Sequence, residues 1–193
     1  MKRLIAMMLV LVMIAALAAG CKKENAAQLQ EDADQTETMN VTALEVLENT
    51  WNAHAEDETF PVYGGEGENM VDGAPGMLLD QEGIEAQLLL PADGLADTIE
   101  VAGLFHGMMP NNFTAGAFKL KEGVDAKEFA DMMYAKVMSN QWICGFPEKL
   151  MIAVVEGDCV VVVFGLESVV DTFQTRLTET YPNAQVAHSE AIM

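Results

Sequence analysis

Three histidines, three serines and three cysteines are the side chains with which this chain of 193 residues could carry out nucleophilic, acid–base or soft-metal chemistry. The serines are Ser139, Ser168 and Ser189, and none stands in a Gly-x-Ser-x-Gly elbow, so the strained strand-to-helix nucleophile of a serine hydrolase is not indicated. His54, His106 and His188 lie far apart, and no two share the helical or ribbon spacing of zinc ligands. Cys144 has no Cys-x-x-Cys partner, which removes the signature of thioredoxin-type redox work. A cysteine nucleophile working with His106 or His188 lacks any local motif. No catalytic set, metal site or cofactor site is recognisable.

Three further stretches have suggestive composition. Gly64-Gly65-Glu66-Gly67-Glu68-Asn69, followed by Asp72-Gly73, offers hard oxygen ligands, but the alternating spacing of a calcium loop is missing. It reads as a solvated acidic loop. His106-Gly107-Met108-Met109 matches a soft-metal cluster in residue type only, and paired methionines more often plug a core edge. Gln141-Trp142-Ile143-Cys144-Gly145-Phe146-Pro147 concentrates two large aromatics in one connection. Trp142 and Phe146 read first as a lid over a helix end and the sheet. The functional reading makes them an aromatic contact patch, because exposed Trp and Phe are typical interface anchors.

The remaining cysteine, Cys21, follows a different logic. Lys2 and Arg3 precede an apolar run from Leu4 to Leu17, and Ala18-Ala19-Gly20 leads directly into Cys21. A basic n-region, an apolar h-region and a small-residue exit are the parts of a secretory signal. The cysteine after Ala-Ala-Gly resembles the lipobox of bacterial lipoprotein precursors, with Ala18 where that family usually has Leu and Leu17 one step further back. The resemblance implies diacylglyceryl attachment to the Cys21 thiol, cleavage before it, and anchoring to the outer face of the bacterial cell membrane. The competing reading of residues 4–20 is an uncleaved span, at the short end of the roughly 20 apolar residues that crossing requires.

Removing Lys2 and Arg3 with the signal takes the net charge from −20 to −22, since no acidic residue precedes Cys21. Such a surface repels phosphate backbones and anionic headgroups, so nucleic acid is not an expected partner and the membrane is reached through lipid. Residues 22–39 are polar and acidic and read as a disordered tether.

Residues 40–193 read as one α+β extracytoplasmic domain. Asn40 or Thr42 can cap a first helix carrying Leu44, Leu47 and Trp51, ending near Glu56. Four prolines and nine glycines between Phe60 and Asn112 argue against long regular elements there, although Ile99–Phe105 reads as a strand. From Phe113 the pattern is sharper. Phe118 and Leu120 alternate with Lys119 and Lys121 as in a half-buried strand. Asp125 with Glu128 starts a helix to about Ser139. Leu150–Val155 and Cys159–Phe164 flank Glu156-Gly157-Asp158, a hairpin for which a type II′ turn is expected. Ser168 is the expected cap of a last helix, and Ala184–Ala187 the last strand. Strand, helix, strand, strand, helix, strand is the ferredoxin-like order with an antiparallel sheet. The apolar run Val160–Val163 predicts a central strand covered on both faces. An exported pair invites a disulfide, but Cys144 lies beyond the far end of the strand that partners Cys159, where only a folded-back loop could bring the Cα atoms within the ~7 Å a bridge needs, so two separate, mostly buried thiols are the favoured reading. Together with the tether, the Trp-Ile-Cys-Gly-Phe-Pro loop and its hairpin resemble domains of small lipoproteins, a likeness that carries no catalytic residue across. The resulting expectation is a lipid-anchored binding or interaction domain with an envelope protein or peptide as partner. The alternative is a cell-envelope enzyme using carboxylates or a metal.

Overall fold

A computed structural model describes residues 40–63, 70–72, 77–78, 81–143 and 145–192. Cys21, the proposed tether, most of the acidic glycine loop and Cys144 therefore lie outside the described residues. No described helix is long and apolar enough to cross a membrane.

Helix α1 (Ala43–Asn52) opens on a reciprocal cap. Thr42 Oγ1 accepts from the Glu45 N–H at 3.1 Å, and Glu45 Oε2 accepts from the Thr42 N–H at 2.9 Å. Its Ala43, Val46, Leu47 and Trp51 face inward, and it ends at Asn52, four residues before the expected Glu56, where a separate 3-10 turn (Glu56–Glu58) begins. Strands β1 (Pro61–Tyr63), β2 (Met70–Asp72) and β3 (Met77–Leu78) are short. Helices α2 (Gln81–Gln87) and α3 (Ala92–Leu95) follow. Strand β4 (Thr98–His106) is long despite the Gly-rich surroundings. Then come β5 (Phe113–Leu120), α4 (Ala126–Met138), β6 (Lys149–Val155), β7 (Cys159–Gly165), α5 (Glu167–Thr180) and β8 (Gln185–Ala191).

All these strands form one antiparallel sheet in the order β2-β1-β4-β5-β7-β6-β8, with β3 also paired to β4. The α+β class and the order of elements from Phe113 match expectation; the ferredoxin-like spatial order does not. That arrangement needs the last strand beside β5. Here β4 occupies that place through a register running from Thr98↔Leu120 to Phe105↔Thr114, and β8 pairs with β6 instead.

The consequence is a sheet with two covered faces. The crossovers β5-α4-β6 and β7-α5-β8 both step two places in the same direction along the sheet, but β5 and β7 run oppositely. Right-handed crossovers from antiparallel strands then put their helices on opposite faces. The two cores agree. Phe129, Ala130, Met133 and Val137 of α4 pack with Phe118, Val160 and Val162. Val170, Phe173 and Leu177 of α5 join α1 against Ala115, Val161 and Val163. Val160–Val163 are buried from both sides, as their composition predicts.

Double coverage also corrects the half-buried reading of the Phe118–Lys121 alternation, because every residue of β5, Lys119 included, is buried, and Lys121 lies beyond the strand. Lys119 survives inside by donating to Asp158 at 2.7 Å, opposite Glu100 on β4. The hairpin turn has positive φ at both Glu156 (50°) and Gly157 (85°), the sign pattern of a type I′ rather than a type II′ turn. Ser168 is not a cap. Helix α5 begins one residue earlier, and its Glu167 N–H donates to the distant Glu148 carboxylate at 2.9 Å. Asp125 caps α4 as expected, accepting from the Lys127 and Glu128 N–H groups.

Candidate functional site

Where β5 and β7 meet the end of the sheet, the chain builds a junction of three pieces. One is the turn Pro110–Asn112, a single 3-10 turn between β4 and β5. Proline suits its first position, since the missing N–H would be unpaired there in any case. Thr114 Oγ1 donates to the Pro110 carbonyl at 3.0 Å, and the Asn112 carbonyl accepts from the Leu166 N–H at 2.9 Å. Gly165 makes this contact possible: a Cβ there would collide with the Asn112 carbonyl oxygen and stand 2.7 Å from its carbon. The second piece is the connection 140–148 between α4 and β6. The Asn111 side-chain amide donates to the Gly145 carbonyl at 3.1 Å, while Gly145 takes a φ of 92° that disfavours any residue with a Cβ. The third is the end of α2, where Leu89 is held at φ 58°, an uncommon state for a leucine.

Between the three lies a cleft of about 620 Å³. Phe164 forms its floor, with Trp142, Ile143 and Leu89 as apolar walls. Gln87, Asn140 and Gln141 add carboxamides, and no described lining residue carries a charge. Ile143 lines it, and Phe146, Met108 and Met109 belong to the two segments that carry other lining residues. Ile143 is 88% exposed and Phe146 74%, while Met108 and Met109, which lead into the Pro110 turn, are 78% and 48% exposed.

The two aromatics singled out in the sequence therefore part company. Trp142 leans on the core, its ring 5.2 Å from that of Phe164, and its N–H is buried without a partner among the described residues. Phe146 points outward on the same loop. Met108 and Met109 do not plug a core edge as their pairing suggests. His106 holds them outward instead: its Nδ1 accepts from the Met108 N–H at 3.1 Å and the Met109 N–H at 3.3 Å, and its ring stacks on Phe60. Accepting through Nδ1 places the proton of the neutral ring on Nε2.

The other reactive residues are scattered. His54 sits among Trp51 and Phe173, its Nδ1 2.9 Å from the Thr50 carbonyl, and burial lowers its pKa. His188 stacks on Tyr134 and meets the Asp131 carboxylate at 2.8 Å. Lys127, the larger influence, and His188 both lower the pKa of Asp131. Cys159 is a free thiol fully buried under the sheet, with its pKa pushed up to about 12 by burial, so it is a poor nucleophile. Among the described residues no three His, Cys, Asp or Glu side chains stand close enough to hold a metal ion.

Sequence reasoning picked out Trp142 and Phe146 but missed Leu89, Gln87 and Met108 as parts of the same surface. Leu89 gives no signal, because a positive φ at leucine is imposed by tertiary structure. Ile143 did offer one: a large apolar residue in a short loop rich in Asn, Gln, Gly and Pro. No protein-family model, curated protein or solved structure matches the chain.

Proposed function

We propose that this chain is a lipid-anchored, extracytoplasmic binding domain that engages an envelope protein or peptide through the cleft between residues 140–148, the Pro110 turn and the end of α2. Cys21 supplies the anchor and residues 22–39 the reach, about 60 Å at full extension. The observation that carries the contact surface is Ile143, almost fully exposed on the lining of an uncharged cleft, with exposed Phe146 on the same connection and exposed Met108 and Met109 leading into the Pro110 turn, which the Asn111–Gly145 hydrogen bond ties to that connection. Exposed apolar side chains clustered in one place mark interaction surfaces, whereas single ones are ordinary. A contact surface built on tied loops also loses little entropy when it binds.

Two measurements test the two halves of this reading. Mass spectrometry of the mature N-terminal peptide should find a diacylated Cys21. A mature chain beginning at an unmodified Cys21, or retaining residues 1–20, would remove the anchor. For the surface, a photo-reactive residue at position 143 or 146 in intact cells should give discrete protein adducts. Position 99 is the control, because Ile99 is 65% exposed at the opposite end of the sheet. Equal adduct patterns from 146 and 99 would refute the assignment.

A further inference from the structure

We infer that the cleft takes an extended polypeptide segment, uncharged and apolar where it lies between the walls and basic where it leaves past α2. This rests on the reading of the cleft as the contact site and adds the chemical class of the occupant. In a chain carrying 40 charged residues, the described lining residues carry none, so the cleft offers no counter-charge to a charged group within it.

Gln87, Asn140 and Gln141 each present both an amide donor and a carbonyl acceptor on the cleft lining, where Gln87 and Gln141 are exposed and Asn140 half-buried. That combination matches the alternating N–H and C=O groups along an extended backbone, while Leu89, Trp142 and Ile143 receive the side chains of one face. A lipid surface would satisfy the exposed apolar residues but leave the three carboxamides without partners.

Across Ala86, which lines both, the cleft adjoins a second groove formed by Gln81, Glu82 and Glu85. The two glutamates are exposed on α2. A segment leaving the cleft on that side meets this local negative charge within a chain of net charge −20, which favours Lys or Arg there and opposes Asp or Glu. The same self-repulsion disfavours a second copy of the chain as the occupant.

The test uses the full chain in phosphatidylcholine nanodiscs as bait for a displayed random library of peptides about twelve residues long. Peptides retained by the wild type should be enriched about tenfold or more over those retained by Ile143→Asp, corresponding to about 1.4 kcal/mol. Ile143 is almost fully exposed, so its replacement should leave the thermal midpoint unchanged. The retained set should be apolar at its centre and carry Lys or Arg towards one end. Glu82→Gln combined with Glu85→Gln should erase that basic bias and keep the apolar core. Equal recovery by wild type and Ile143→Asp, or a retained set rich in Asp and Glu, would overturn the inference. Adducts from position 146 to phospholipid instead of protein would assign the surface to the membrane and overturn it too. Discrete protein adducts without peptide enrichment would leave the contact site standing and remove only the peptide class; absence of both would remove both.

Discussion

Gly165→Ala is the substitution that most directly asks whether the Pro110 turn is packed against β7. The added methyl would collide with the Asn112 carbonyl oxygen, stand 2.7 Å from its carbon and 2.9 Å from the Phe113 Cα. These are backbone atoms, so no side-chain rotation relieves the contact and the turn itself must move. Overpacking of this kind costs roughly 1–3 kcal/mol. Moving the Asn112 carbonyl also strains or breaks its hydrogen bond from Leu166, adding about 1 kcal/mol or more. A loss of about 3 kcal/mol is expected, which for a domain of this size lowers the thermal midpoint by roughly 6–12 °C. Gly157→Ala is the matched control. Its φ of 85° imposes strain of about 1–2 kcal/mol, but nothing lies within 4 Å of the new methyl. Thermal unfolding of the two variants side by side decides the matter. If Gly165→Ala is no less stable than Gly157→Ala, the turn is not held where the cleft requires it. The variant should also weaken partner capture, because the turn carrying Asn111 is one wall of the site.

Further outcomes follow from individual ionisable side chains. His54 has a folded-state pKa below its ordinary 6.5, so the unfolded chain binds the proton more readily; stability should be intact above about pH 6.5 and fall as pH drops through and below it. His54→Gln should flatten that stretch of the thermal midpoint against pH, and an unchanged slope would refute the assignment. Glu58, held by Arg176 at about 2, adds a separate loss only as pH falls below its ordinary 4.5. Asp158→Ala should destabilise by about 1–3 kcal/mol in urea unfolding and more than Lys119→Met, because it strands the buried Lys119 amine without its partner, whereas Lys119→Met leaves only the half-exposed Asp158 carboxylate; the reverse order would refute the role given to this pair. The Cys159 thiol should resist alkylation in the folded chain and react only on unfolding, read by mass spectrometry of its own peptide.

How far the sequence could be read turns on which interactions are local. The cap at Thr42, one of the two candidates the residue order offers beside Asn40, the cap at Asp125 and the hairpin at Gly157 are short-range and legible in residue order, whereas the reciprocal bond from Glu45 emerges only in the structure. The cap of α5 was not legible, because its acceptor, Glu148, is 19 residues away and Ser168 is a plausible local substitute. The spatial order of strands failed for a related reason. Residues 113–191 alone are compatible with β8 lying beside either β5 or β6, and the choice is made by β4, a strand whose weak alternation hid its length. The apolar run Val160–Val163 held the relevant clue. A ferredoxin-like sheet covers one face with its two helices and leaves the other to solvent, whereas a strand apolar at every position needs cover on both. With β4 beside β5 and β8 beside β6, right-handed crossovers put α4 and α5 on opposite faces, and that requirement is met. The same placement creates the candidate site. Double coverage ends where β5 and β7 reach the Pro110 turn, and there Phe164 is roofed by a connection, 140–148, instead of a helix. A loop is the part of this layer that can expose Ile143 and Phe146 without opening the core.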